Sequence, residues 1–221
     1  MLVSEALKKR KATRSFLPKT VEHEKIVRIL DAARHAPSGT NTQPWKVAVI
    51  TGETKQALCS AMESSFRGGN HGKMDYQYYP VKFEGIYKER RRACGLQMYA
   101  TLDISRDDKQ RQTDQWAANY RAFEAPVMLL FFIDRELETG SFFDYGMFFQ
   151  SLMLAAVEEG LATCPQAALA EYPDIAREML GYSADTQLVA GMALGYEELE
   201  ALVNSYRTPR EPVDNFTRFF E

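Results

Sequence analysis

The chain has 221 residues, 45% of them hydrophobic, enough to bury one core, and nothing in its composition divides it into two domains. Lys and Arg number 27 against 30 Asp and Glu, a formal charge of -3 without the basic excess that neutralises a phosphate backbone, so the sequence argues against a nucleic-acid role. Cys59, Cys94 and Cys164 form no disulfide framework, His23, His35 and His71 form no zinc ligand set, and no apolar run reaches the roughly 18 residues that span a bilayer, so the expectation is a cytoplasmic chain without metal or membrane.

Ser4 and Glu5 predict the start of a short helix, after which Lys8, Lys9, Arg10, Lys11 and Arg14 crowd a segment closed by Phe16. Such a charge run is ordinarily a solvated helix end. Here the small residues Ala12, Thr13 and Ser15 alternate with the cations and let a phosphate approach the backbone while guanidinium groups bind its oxygens. From Thr20 the apolar residues Val21, Ile26, Val27, Ile29, Leu30 and Ala33 follow helical spacing until Pro37.

Residues 36–50 read APSGTNTQPWKVAVI. Pro37 to Pro44 is turn chemistry dense in donors and acceptors, and Trp45, Val47 and Val49 then alternate with Lys46 and Ala48 as a strand that packs into a core. A plain connection and a ligand-holding turn are equally compatible with these residues. A second helix is expected from Glu53 past Leu58 and Met62 to the break at Arg67-Gly68-Gly69. The Gly- and Tyr-rich stretch that follows, up to Pro80, has the length of a lid or binding loop, with Tyr76, Tyr78 and Tyr79 either stacking on a planar ligand or covering the core edge.

Residues 83–123 predict a helical hairpin projecting from the core, broken near Ile104-Ser105, with the solvated run Lys88 to Arg92 on its first arm. Pro126 to Ile133 is a continuous apolar run, hence a strand covered on both faces. Asp144 to Gly160 predicts a helix apolar on more than one side, which belongs in the centre or in a subunit interface. Leu161 to Pro173 mixes strand and turn signals, and its Cys164 reads as buried structure rather than as a nucleophile, since no thiol-enzyme signature surrounds it. A helix from Pro173 to Leu180 and a strand from Leu188 to Gly195 follow. The tail, Val203 to Glu221, is polar and then aromatic and is expected to lie as an arm across another surface. No P-loop or G-x-G-x-x-G segment is present, so the residues by themselves predict an α/β-type domain in which arginines hold one phosphate.

Four stretches in order resemble the flavin-dependent nitroreductase family. Arg10-Lys-Ala-Thr-Arg14-Ser-Phe16 is similar to its R-x-S-x-R-x-F. Pro37-Ser38-Gly39-x-Asn41-x-Gln43-Pro44-Trp45 is similar to its P-S-x-x-N-x-Q-P-W. Gly160-Leu161 to Ala167 resembles its G-L segment, and Leu194-Gly195-Tyr196 with Arg210-x-Pro212 its closing L-G-Y and R-x-P.

The resemblance implies a single α+β domain over residues 1–221, with a central, mostly antiparallel sheet flanked by helices, in an intertwined homodimer. It implies FMN bound at the interface and ping-pong reduction of nitroaromatic or quinone acceptors by NADH or NADPH. Carried over, Arg10 and Arg14 would bind the FMN phosphate or ribityl chain beside the backbone of Lys11 and Ala12, with Arg210, rather than Arg207, as the second phosphate ligand. Pro37, Ser38, Gly39 and Asn41 would reach the partner subunit's flavin, and Pro165, Gln166 and Ala167 would lie along the ring. Tyr120 and Phe123 of the hairpin would wall the acceptor site or belong to the hairpin's own core. No side chain is nominated as acid or base, because the flavin carries the chemistry. Ala12 replaces the family's usual serine and loses a hydroxyl contact. Ala167 replaces an acidic residue of some members, leaving only its backbone. The rival readings are a quinone, flavin or enone reductase of the same fold, a flavin-binding protein without turnover, and a thiol enzyme using Cys164.

Overall fold

A computed structural model describes residues 1–221. Four strands, β1 (Lys46–Ile50), β2 (Val127–Asp134), β3 (Ala162–Gln166) and β4 (Thr186–Gly195), form one sheet in the order β1-β2-β4-β3. Every pairing is antiparallel, so the class is α+β and not the α/β type that the residues alone suggested. Seven helices flank it: α1 (Val3–Lys9), α2 (His23–Ala33), α3 (Gly52–Arg67), α4 (Gly85–Thr101), α5 (Lys109–Ala117), α6 (Thr139–Glu158) and α7 (Pro173–Leu180). No helix is long and apolar enough to cross a membrane.

Strand β2 shows why the sheet is two-faced. Val127, Leu129, Phe131 and Ile133 join a core with Ile26 and Ile29 of α2 and Phe148 and Leu152 of α6. Met128, Leu130 and Phe132 alternate with them and join a second core with Leu58 and Met62 of α3 and Ala176 of α7. Each such side chain contributes about 1.5–3 kcal/mol on burial, so an apolar run of strand length settles between two layers of helices.

Several boundaries differ from expectation. The first helix is capped at Leu2, not Ser4, and α2 begins at His23 rather than Thr20. Helix α6 begins at Thr139 rather than Asp144; as expected its second half is covered on more than one side, with Leu152, Met153, Ala155, Ala156 and Val157 all buried, whereas Phe143 near its start is 73% exposed. Val49 does not join Trp45 and Val47 against the core but is exposed, because β1 is the sheet edge and no helix of the chain covers that end. The tail is tied to its own chain through Arg207, which donates to Lys8 O and Arg10 O, and through the Arg90–Glu211 pair, while its aromatic end, Phe216, Phe219 and Phe220, is exposed.

The 68–84 segment is not a free lid. Gly72 packs so closely that a Cβ would fall 2.0 Å from the Glu171 carbonyl oxygen, and the Tyr172 hydroxyl donates to Asn70 O at 2.8 Å. Asp75 accepts from Arg177 Nη1 at 2.6 Å, from Arg135 Nη2 at 3.2 Å and from the Leu188 backbone N–H at 2.9 Å. The Tyr76 hydroxyl donates to Val189 O at 2.6 Å, an acceptor freed by the register shift that pairs Phe131 with Ala190 but Phe132 with Leu188.

Candidate functional site

Residues 10–17 are stitched into the sheet before any ligand is considered. The Thr13 backbone N–H donates to Thr163 O at 3.0 Å beside an Ala12–Thr163 bridge, and Leu17 N–H donates to Tyr196 O at 2.9 Å. Asn204, 2% exposed, closes the other side: its Oδ1 accepts from Arg14 N–H at 2.8 Å and its Nδ2 donates to Ser15 O and Glu198 O. The Lys11 ammonium is drawn to Glu197 and the Asn204 carbonyl. The backbone of Lys11 and Ala12 therefore stays in place while its side chains line a cavity.

That cavity, about 420 Å³, is bordered by Arg10, Lys11, Ala12, Arg14, Arg207 and Arg210. None of the four arginines forms an ion pair. Burial, and after it the guanidinium groups of Arg210 and Arg207, hold the Arg10 pKa below its usual value. Like charges held together without a carboxylate are the donor set of an anion site, and guanidinium forks match phosphate oxygens. Arg207 is partly committed, donating to Lys8 O at 2.7 Å and Arg10 O at 3.2 Å at the end of α1, whereas Arg210 bonds only within Thr208-Pro209.

A second cavity of about 320 Å³ shares Arg14, Cys94 and Tyr206 with the first. Its floor is the end of β3, Cys164 to Gln166, with Ala167 and Ala168, and Phe123 and Tyr79 border it. Gln166 is 4% exposed and donates from Nε2 to Asn119 O at 2.9 Å, while its Oε1 has no partner. Cys164 is buried and its thiol pKa is pushed up to about 11 by that burial, so it is no thiolate nucleophile at neutral pH.

Arg10, Lys11, Ala12, Arg14 and Arg210 thus come together, and Pro165, Gln166 and Ala167 lie in the adjoining cavity. Pro37, Ser38, Gly39 and Asn41 do not join them. Their loop leads from Ala36 to Trp45, both packed in the core on the α2–α6 face of the sheet, opposite the face to which Cys164 and Phe123 belong. The loop is rigid nonetheless. Thr40, Asn41 and Gln43 all hold positive φ (49°, 61° and 49°), Gly39 N–H donates to both oxygens of buried Asp144, and Trp45 stacks on Phe148 with centroids 4.8 Å apart. Tyr120 and Phe123 are 0% and 4% exposed and belong to the core, yet each borders a cavity, Tyr120 the chamber next door and Phe123 the ring-sized one. Phe123 sits in a turn where Ala122, Phe123 and Glu124 all have positive φ, a strained segment at the cavity edge.

Asn204, Tyr206 and Asp75 were invisible to sequence reasoning. Each acts on a partner far away in the chain, as when Asn204 holds Arg14 across 190 residues, and none lies in a recognisable motif.

Residues 7–196 match the Nitroreductase family. The chain is 38% identical, over 95% of its length and 92% of the relative's, to a 4-nitrobenzoate reductase of Pseudomonas putida. Its fold superposes with a TM-score of 0.97 on the FMN and NADPH-dependent nitroreductase NfnB from Sphigopyxis sp. strain HMH, 38% identical with 100% of both chains covered. It superposes with a TM-score of 0.94 on the FMN-dependent nitroreductase NfnB from Mycobacterium smegmatis in complex with NADPH, 34% identical, covering 99% of this chain and 97% of that one.

Proposed function

The chain belongs to the nitroreductase family, and from that premise we propose that it is an FMN-dependent oxidoreductase that uses NADH or NADPH to reduce nitroaromatic compounds. The observation that carries this reading is the pair of adjoining cavities, one lined by four unpaired arginines and the other by the end of β3, which share Arg14 and Tyr206 as a common wall. Their order suits a phosphate at one end and a planar ring at the other.

FMN, when bound, supplies the hydride relay between the nicotinamide donor and the nitro acceptor. Arg10, Arg14 and Arg210 would bind its phosphate end, and Arg207 fixes the end of α1 beside them. The backbone of Pro165 to Ala167 would lie beside its ring in the adjoining cavity. Phe123 and Tyr79 border the same cavity and would limit the room left for donor and acceptor beside the flavin.

The remaining predicted contacts, Pro37, Ser38, Gly39 and Asn41, reach the flavin of a second copy in a homodimer. Supporting this are the exposed apolar Val49, Phe143, Phe216, Phe219 and Phe220, which nothing in the single chain covers, and the preset shape of the loop. The test is an absorbance spectrum followed by an anaerobic acceptor panel. Yellow protein that bleaches with NADH or NADPH and reoxidises with a nitroarene is expected. Protein that fails to bind added FMN overturns the reading, and protein that binds FMN without turning over reduces it to a flavin carrier.

A further inference from the structure

Beyond the ring cavity lies a chamber of about 460 Å³ that the function above leaves unused. The two share Tyr99, Trp116 and Glu171 as walls, so the chamber adjoins the ring cavity. Phe66, Tyr120 and Tyr172 complete an aromatic lining suited to a planar ring. The exposed side chains of Lys109 and His71 stand at its rim. Lys109 forms no salt bridge: its ammonium donates to Arg106 O at 2.7 Å and reaches Gln112 Oε1 at 3.5 Å, leaving a third donor free.

The charges are lopsided. Across both cavities Arg14, Arg91 and Lys109, none of them in an ion pair, stand against the single carboxyl of Glu171. That carboxyl is itself subdued. The Tyr120 hydroxyl donates to its Oε2, and burial raises its pKa, which favours the neutral form. The result is an aromatic box with a cationic rim.

We propose that this chamber is the distal subsite of the acceptor and that it selects nitroarenes carrying an anionic substituent, arenecarboxylates above all, with Lys109 as the specificity-determining side chain. The inference rests on the nitroarene reading of the ring cavity. An arene reaching from the ring cavity past the shared Trp116 and Glu171 would bring its far substituent to the chamber that Lys109 borders.

The experiment uses the FMN-loaded enzyme and two probes that cannot be reduced, benzoate and its neutral analogue benzamide, titrated by their effect on the visible flavin spectrum. Wild type is expected to bind benzoate about fivefold to tenfold more tightly than benzamide, the scale of one partly solvated charge-assisted contact. Lys109→Ala removes that preference and Lys109→Arg restores it, and in Lys109→Ala the ratio of kcat/KM for 4-nitrobenzoate to that for nitrobenzene falls by the same factor. Equal affinity for the two probes in wild type, or a preference that survives Lys109→Ala, overturns the subsite and leaves nitroarene reduction standing. An enzyme that reduces neither nitroarene overturns the reading beneath it as well.

Discussion

The two ends of the groove are built on different foundations. At the arginine end, residues 10–17 hydrogen-bond through their backbone to β3 and to Tyr196, and buried Asn204 pins Arg14 from the other side. At the hairpin end, α4 has no buried residue and α5 has only Ala117, so the walls are side chains on elements with little core beneath them. The first construction fixes donors to within a hydrogen bond of one geometry, as binding an invariant cofactor requires. The second tolerates side-chain exchange, as meeting varied acceptors requires.

The largest effect is expected where the contrast is sharpest. Asn204→Ala strips partners from Arg14 N–H, Ser15 O and Glu198 O in a site where Asn204 is 2% exposed. Each orphaned buried group costs about 1–3 kcal/mol, so a loss of about 3 kcal/mol in urea unfolding is expected, together with poor FMN retention. An unfolding midpoint equal to that of wild type would show that the arginine end is not held from this side.

Next come the arginines themselves. Arg10→Ala and Arg210→Ala are each expected to weaken FMN by about 1.5–3 kcal/mol, measured by fluorescence recovery of released flavin. Arg207→Ala should weaken it less, since that guanidinium is spent on the carbonyls of Lys8 and Arg10. A larger loss at Arg207 than at Arg210 would exchange their roles.

The same contrast decides what the sequence reveals. The arginine segment, the 37–45 turn, β2 and α7 are legible because each is local: a motif, a Pro boundary or a period that neighbours in the chain enforce. The stretch up to Pro80 reads as a lid or binding loop, and what fastens it is hidden because Asp75 and Arg177 lie 102 residues apart and an acid among tyrosines carries no sign of its partner. Likewise Glu171 in Ala170-Glu171-Tyr172 looks like an ordinary exposed acid until Tyr120, 51 residues earlier, donates to it. The first turn of α6, Thr139-Gly140-Ser141, is polar and contains glycine, so the helix became visible only where its apolar run begins. The motifs point to residues that line the two cavities, but not to the residues that hold those cavities in shape.

At the junction of the two ends, Glu171 gives a pH test. Burial, opposed by the Tyr120 hydroxyl, raises its pKa in the folded chain above that of an unfolded glutamate. The folded state therefore binds the proton more tightly. The stability this contributes is fully present below the ordinary carboxylate range and is lost as pH rises through the raised value. Glu171→Gln stays neutral throughout, so its Tm is expected to match wild type near about pH 4 and to exceed it increasingly towards about pH 8. A Tm difference independent of pH would mean that Glu171 holds its proton equally well in the folded and the unfolded chain and that the junction is more polar than its aromatic walls suggest.

The smallest effect belongs to the hairpin's outer face. Arg90 on α4 pairs with Glu211 of the tail at 3.1 Å, with side chains 44% and 38% exposed. An ion pair so open to solvent is worth about 0–1 kcal/mol and is screened by salt. Arg90→Ala is therefore expected to change the unfolding free energy by less than about 1 kcal/mol, and the change should vanish at about 1 M salt. A larger loss that persists in salt would mean that the tail clamps α4 to the core. The hairpin end would then be as firmly fixed as the arginine end, and its variability could no longer account for acceptor range.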